Sequence, residues 1–271
     1  MITTDLTAII GAGVMGETLL SGLLRSGRAP ADLVVCEPRP VRAVELEAKY
    51  GVKVVPSTEA AERAQTLVLV VKPQDMAALC AEISPHLSAD TLVVSLAAGI
   101  TTDFLQTRLP TRTAVVRVMP NTPALVDQGM AALSPGATCT EQQLERAEAL
   151  LRAVGRAIRV PEKYQDAVTA ISGSGPAYVF FFIEAMVQAA TEMGLSAEQG
   201  GHLALATFAG AAALAQQSPL SPAVLREQVT SQGGTTHAAI TALQQQGVGP
   251  AFVKALHAAR ERAAELGRTS G

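Results

Sequence analysis

The sequence predicts an α/β fold, a doubly wound sheet followed by an all-α domain, on three observations. Short β-branched apolar runs alternate with Ala-, Leu- and Glu-rich helical stretches through about residue 160. Beyond that point the apolar runs stop, and helical pattern alone continues to the end. A glycine-rich turn joins the first apolar run to the first helical stretch. Strand–helix alternation of this kind argues a parallel sheet with helices on both faces.

The expected strands, in order, are "LTAIIG", "DLVVCE", "VKVVP", "TLVLVVK", "TLVVSL" and "TAVVRVMP". Each is apolar on successive residues, as a strand covered on both faces should be. "GETLLSGLLRSG", "RAVELEAKYG", "QDMAALCAEISPHL" and "EQQLERAEALLRAVG" supply the crossover helices. The change of class falls near residue 163, which divides the chain into residues 1–162 and 163–271. In the second part "GLSAEQGG", "QSPLSP", "SQGG" and "GVGP" pair helix breakers with N-caps, so four or five helices fit. The helix from Pro176 to Met193 is apolar nearly all round, with three consecutive phenylalanines. A helix without a polar face is buried on all sides. A domain of this size cannot surround it, so a homodimer with interlocked helical domains is expected.

Composition narrows the function classes. The 271 residues are 48% hydrophobic, and 21 basic against 24 acidic residues give a net charge of −3. No basic footprint marks a nucleic-acid partner. Cys36, Cys80 and Cys139 form no CxxC pair and read as thiols of a reducing compartment, with no metal expected. "MITTDLTAII" lacks a basic n-region, and the longest apolar run is broken by Glu184 and too short for a membrane span. The expectation is a cytoplasmic protein with no membrane partner.

Chemistry enters at the glycine turn. "GAGVMG" places Gly11, Gly13 and Gly16 in GxGxxG spacing at the first strand of an α/β chain. The first glycine permits the tight turn and the second lets backbone approach a pyrophosphate. The third allows close helix–strand packing, and the helix N-terminus supplies donors. The sheet is thus expected to be of Rossmann type and to bind a dinucleotide. The second strand ends "VVCEPRP": Glu37 favours NAD by accepting from ribose hydroxyls, whereas Arg39 favours the 2′-phosphate of NADP. The cofactor is therefore NADP or NAD, with the preference open.

Familiar catalytic sets are missing: there is no YxxxK, no GxSxG elbow, and His86, His202, His237 and His257 have no evident partners. What remains lies at strand ends and helix starts. "VVKPQD" carries Lys72, "SLAAGI" follows the fifth strand, and "VMPNTPAL" carries Asn121. "VTSQGGTTHAA" has anion logic of its own, since its glycines free consecutive N–H groups and Thr235 and Thr236 add hydroxyls at a helix start. A second anion site suggests a substrate bearing a carboxylate or phosphate.

Taken together, "GAGVMG", "VVKP", "SLAAGI", "RVMPNTPAL", "DAVTAISGSGPAYVFFFIEA" and "LREQVTSQGGTTHAAI", in this order, closely resemble the pyrroline-5-carboxylate reductase family over about residues 6–265. The resemblance implies hydride transfer from NAD(P)H to the C=N carbon of (S)-1-pyrroline-5-carboxylate, giving L-proline. It also implies a helical dimerisation domain, with dimers assembling into a decamer. It places the pyrophosphate on Gly11, Ala12, Gly13, Val14, Met15 and Gly16. Val71, Lys72 and Pro73, with Leu96, Ala97 and Ala98, would line the nicotinamide and its ribose, and Asn121 belongs to the same site. Substrate carboxylate would be held by Ser231, Gly233, Gly234, Thr235 and Thr236, with Glu162 at the same site. Thr236 is the expected catalytic contact, because its hydroxyl can donate to or accept from the ring nitrogen.

Three residues depart from the family pattern. Gln232 replaces the usual proline of the second loop, Ser57 stands where many members have asparagine, and Glu37 is atypical of NADP-preferring members. Two other readings compete. One is another NAD(P)-dependent imine or ketone reductase of the same build, such as a β-hydroxyacid-type dehydrogenase, but that type carries a lysine after the domain boundary, and none lies between Lys163 and Lys254. A dinucleotide-sensing regulator would not need the Ser231–Thr236 loop.

Overall fold

The structure, a computed structural model, describes residues 5–270. The chain divides into two compact units, residues 5–174 with 259–270 and residues 175–258. In the first, the strands are β1 (Thr7–Ile10), β2 (Leu33–Cys36), β3 (Lys53–Val54), β4 (Thr66–Leu69), β5 (Leu92–Ser95), β6 (Ala114–Met119), β7 (Gly129–Pro135) and β8 (Gly155–Arg159). They form one sheet in the order β3-β2-β1-β4-β5-β6-β7-β8. Its helices are α1 (Val14–Arg25), α2 (Pro40–Tyr50), α3 (Ser57–Arg63), α4 (Met76–Ile83), α5 (Thr102–Gln106), α6 (Glu141–Arg152) and α7 (Gln165–Val168).

The unbroken apolar runs have a simple cause. Successive side chains of a strand point to opposite faces, and both faces are covered here. Ile9, Val35, Val68, Val94 and Val116 lie side by side in register and enter one core. Their neighbours Ala8, Val34, Leu67, Val93 and Val115 enter the other. All six expected strands form, each pair between β1 and β6 parallel. The order reverses at β1, which pairs with β2 on one side and β4 on the other. Ligands of open α/β sheets bind at the carboxyl ends of strands beside such a switch.

Two strands were not expected. β7 runs antiparallel to β6, and β8 returns parallel to β7. Glycine, methionine and alanine fill "GMAALSP" where β-branched residues would signal a strand, and "GRAIR" carries two arginines. The pair is held by backbone approach: Gly155 has φ +151, and a Cβ there would lie 2.5 Å from the Gly129 nitrogen and overlap its carbonyl oxygen. The short helices α3 and α5 were also unforeseen.

The second unit holds α8 (Gly175–Glu192), α9 (Ala197–Gln217), α10 (Pro222–Gln228), α11 (Thr235–Gln245) and most of α12 (Val248–Ser270). Ser196 and Gln199 form a capping box that starts α9, and Ser221 caps α10. α8 and α9 meet closely at Gly200, where a Cβ would lie 2.8 Å from that of Ala190. Phe252 of α12 packs edge-on against Tyr178 and Phe182, with ring centroids 5.7 and 5.6 Å apart. No residue of α8 is buried in the single chain, and Phe180 and Phe181 are 59% and 65% exposed.

The sequence reading made this apolar run too short for a membrane span, and the structure corrects that. α7 and a π-helical turn (Thr169–Gly173) lead directly into α8, so Glu162–Glu192 is long and apolar enough by length and composition.

Gly155→Ala is expected to lower stability by about 2–4 kcal/mol, since both the positive φ and the missing space oppose a methyl group. Urea denaturation followed by circular dichroism measures it, and a wild-type midpoint would contradict the account.

Candidate functional site

The turn from β1 into α1 is built from three glycines with different duties. Gly11 has φ +100, and a Cβ there would lie 2.7 Å from the Val70 carbonyl oxygen, so neighbouring strand ends leave no room for a side chain. A Cβ on Gly16 would overlap the Gly11 carbonyl oxygen, which fixes how closely α1 seats on the sheet. Gly13 is different: its φ of −68 suits any residue, and nothing lies within 4 Å of a Cβ placed there. It is the N-cap of α1 and offers no side-chain cap. The open space and the free amino-terminal N–H groups fit a pyrophosphate at the positive end of the helix dipole.

Beside this turn lies a cleft of about 540 Å³ at the ends of β1, β2 and β4. Gly11, Glu37, Val55, Ser57, Val71 and Glu82 are among its lining residues. Its charged lining residues are Glu37 and Glu82, and among the described residues no lysine, arginine or histidine lines it. The Glu37 side chain is 3% exposed. Its carboxylate accepts from the Arg39 backbone N–H at 3.0 Å and from Nε and Nη2 of Arg39 at 2.8 and 3.0 Å. These bonds from Arg39, against the opposing effect of burial, hold its carboxyl below the usual carboxylate range, and the Ala12 N–H adds to them. Ser57 donates to Glu82. Burial above all, then the charges of Glu82 and Glu59, push the neighbouring Cys36 thiol up to about 12.

The other residues expected on the cofactor side follow the ends of β4 and β5. Val71, Lys72 and Pro73 follow β4, with Lys72 leading a short 3-10 turn (Pro73–Asp75). Leu96 and Ala97 follow β5 and are buried, while Ala98 is exposed. The Leu96 N–H donates to Leu69 O, which keeps this turn level with the end of β4. Among the glycine-turn residues Ala12 is buried, Val14 is 69% exposed and Met15 is packed against the core.

Asn121 shares a small pocket with Leu96 and Met15, whereas Glu162 sits at the start of α5, and both side chains are engaged within the protein. Asn121 Oδ1 accepts from the Met130 N–H at 2.8 Å, and Nδ2 donates to the carbonyl and hydroxyl of Ser172 at 3.3 and 3.2 Å. Its amide therefore ties the end of β6 to the π-helical turn. Glu162 accepts from the Thr102 N–H at 2.8 Å, from the Thr102 hydroxyl, and from Arg117 Nη1 at 3.3 Å. Asp166 lies 3.8 Å from the same guanidinium. Arg117, 7% exposed, escaped the sequence reading, although a lone charge inside "TAVVRVMP" was the available signal.

The second loop belongs to the helical unit. Gly233 has φ +75, and Gly234 is the N-cap of α11, again without a side-chain cap. The Gly234 N–H donates to Ser231 O at 3.0 Å, closing the turn. Thr235 and Thr236 open the helix, Thr236 half-buried and Thr235 exposed. The helix start thus combines free N–H groups with hydroxyls on one short loop. Among the described residues no group of three His, Cys, Asp or Glu side chains gathers to hold a metal.

Comparison with known proteins matches two family models. Residues 162–266 match pyrroline-5-carboxylate reductase dimerisation, and residues 7–99 match NADP oxidoreductase coenzyme F420-dependent. A pyrroline-5-carboxylate reductase of Mycobacterium tuberculosis is 43% identical, covering 96% of each chain. A pyrroline-5-carboxylate reductase structure from Coxiella burnetii superposes with a TM-score of 0.93 at 36% identity, covering 97% of this chain and 99% of the other. That of the Plasmodium falciparum pyrroline carboxylate reductase with NADP bound gives 0.86 at 26% identity, covering 97% and 98%.

The two outer glycines of the first motif can be told from the middle one by experiment. Gly13→Ala should melt within about 2 °C of wild type yet bind NAD(P)H at least about tenfold more weakly, because its methyl group meets only ligand. Gly16→Ala should lose both stability and binding. Thermal melts with fluorescence titration give the two readouts.

Proposed function

The chain belongs to the pyrroline-5-carboxylate reductase family, and from that premise we propose that it transfers a hydride from NAD(P)H to the C=N carbon of (S)-1-pyrroline-5-carboxylate, giving L-proline. The observation that carries the assignment onto these residues is the pair of uncapped helix starts, α1 and α11, each preceded by a glycine turn. One suits a pyrophosphate and the other a carboxylate, so the two anions of cofactor and substrate each have a place.

When bound, the reduced nicotinamide supplies the hydride. This chain's part is to position and polarise. The free N–H groups at the start of α1, from Gly13 to Gly16, hold the pyrophosphate on the Gly11–Gly16 turn, while Val71, Lys72 and Pro73 with Leu96, Ala97 and Ala98 line the nicotinamide end. The Ser231–Thr236 loop holds the substrate carboxylate through the N–H groups of Gly233, Thr235 and Thr236 and the hydroxyls of Ser231, Thr235 and Thr236, with Gly234 closing the turn onto Ser231. Thr236 also places its hydroxyl at the ring nitrogen, where the protonated imine becomes an amine as the hydride arrives at carbon. A protonated imine is already electrophilic, so alignment supplies much of the rate. Glu162 and Asn121 act through the segments they tie together, since both side chains are engaged with Thr102, Arg117, Met130 and Ser172.

We further propose that a second copy covers α8, whose Phe180 and Phe181 are largely exposed in the single chain. Such dimers assemble further, into the decamer that the family resemblance implies, and the protein works in the cytoplasm with its thiols free.

Thr236→Ala is expected to leave NAD(P)H binding within about twofold while lowering kcat by at least about tenfold. Turnover within a factor of about two of wild type would remove Thr236 from the chemistry. Light scattering should give particles of at least two chains, and Phe181→Glu should shift them toward monomer with loss of stability. A stable, active monomer would refute the pairing.

A further inference from the structure

The electrostatics of the β2–α2 segment decide a matter the family assignment leaves open. We infer that this chain takes NADH in preference to NADPH, and that Glu37 sets the preference by keeping Arg39 from a phosphate. The inference rests on the dinucleotide reading of the glycine turn.

Each cation of the segment is already matched by a carboxylate. Arg39 makes three hydrogen bonds to Glu37. Arg42 donates to Glu17 and, at 3.0 Å, to Glu45. Lys49 donates to Glu17 at 3.0 Å. Glu17 is held further by the Tyr50 hydroxyl at 2.8 Å. The acids facing the cleft, Glu37 and Glu82, are not balanced by any cation among its lining residues.

The two cofactors meet this arrangement differently. A carboxylate offers about four acceptor positions, and at Glu37 three bonds come from Arg39, with the Ala12 N–H beside them. A ribose hydroxyl is a neutral donor, so it can replace one Arg39 N–H on the carboxylate and leave every charge paired. A 2′-phosphate carries nearly two negative charges at neutral pH and has the same sign as Glu37 and Glu82. To bind, it must take the guanidinium wholly from Glu37 and leave a carboxylate that is 3% exposed facing it. Arg39 is 67% exposed and can turn toward solvent, but the acid behind it then keeps only the neutral N–H groups of Arg39 and Ala12, with no cation to balance its charge. The opposing votes of Glu37 and Arg39 are one bonded pair, and the pair accepts hydroxyls.

The full-length enzyme is assayed with pyrroline-5-carboxylate and each cofactor, with parallel fluorescence titrations of NADH and NADPH in the absence of substrate. NADH is expected to exceed NADPH by at least about tenfold in both kcat/KM and affinity. Glu37→Ser, which removes the acid and frees Arg39, should move both ratios at least about tenfold toward NADPH. Adding Arg39→Ala should cancel that gain. Equal use of the two cofactors, preference for NADPH, or a ratio that Glu37→Ser leaves in place would overturn the inference. The wild-type ratios decide it even if Glu37→Ser fails to fold. Absence of turnover with a retained affinity ratio would instead strike the proposed substrate and leave the cofactor preference standing.

Discussion

The close seat of α1 on the carboxyl end of β1 is the constraint on which the rest of the site depends. A side chain at Gly16 would overlap the Gly11 carbonyl, and one at Gly11 would strike the end of β4. Because both are absent, the first turn of α1 lies level with the ends of β1, β2 and β4. Only at that height can the Ala12 N–H meet the Glu37 carboxylate, or Val71 after β4 line the same cleft. The parallel register, with Ile9 flanked by Val35 and Val68, sets those ends level in turn. A cofactor site here is the consequence of packing that would be needed in any case to bury two apolar faces.

The β6 side of the sheet is held by polar ties. Arg117 is a buried cation on β6, and a buried charge is costly unless paired. Glu162 and Asp166 pair it, and Glu162 also receives the first N–H of α5. Asn121 does the equivalent from the end of β6, gripping β7 and the π-helical turn with one amide. Such turns insert an extra residue into a helical ladder and recur at functional sites. Here the turn carries Ser172, so the Asn121 amide fixes the turn against β6 and β7.

Much of this was legible in the sequence, for identifiable reasons. β1 to β6 announced themselves because both faces are buried, so β-branched residues run on without alternation. β7 stayed hidden because Gly129, Ala131 and Ala132 fill a strand on grounds of backbone closeness. β8 stayed hidden because Arg156 and Arg159 gave it a polar look. The glycine turns were legible because φ values of +100 at Gly11 and +75 at Gly233 leave few residue types permissible. Asn121 and Glu162 were legible as unusual residues but not as ties, since their partners are up to 60 residues distant in sequence. Glu37 and Arg39 show the same limit at short range. Their types argue for opposite cofactors, and only the bonds between them say which charge remains free.

The two helix starts also explain why Gln232 is tolerated in the second loop. A proline there would stiffen the approach to the glycines by fixing φ, but the turn does not hang on that restraint. Gly233 supplies the left-handed residue, and the Gly234 N–H closes onto Ser231 O at 3.0 Å. A Cβ at Gly234 would sit 2.6 Å from the Ser231 hydroxyl, so the hydroxyl and the N-cap are packed in mutual contact. The residues that shape the loop are therefore Ser231, Gly233 and Gly234, and the exposed Gln232 bridges them without setting their geometry. What Gln232 changes is the unfolded chain, which loses more freedom on ordering this loop than a proline-containing one would. The difference falls on the stability of the loop, while the direction of its N–H groups is set by the glycines that flank the helix.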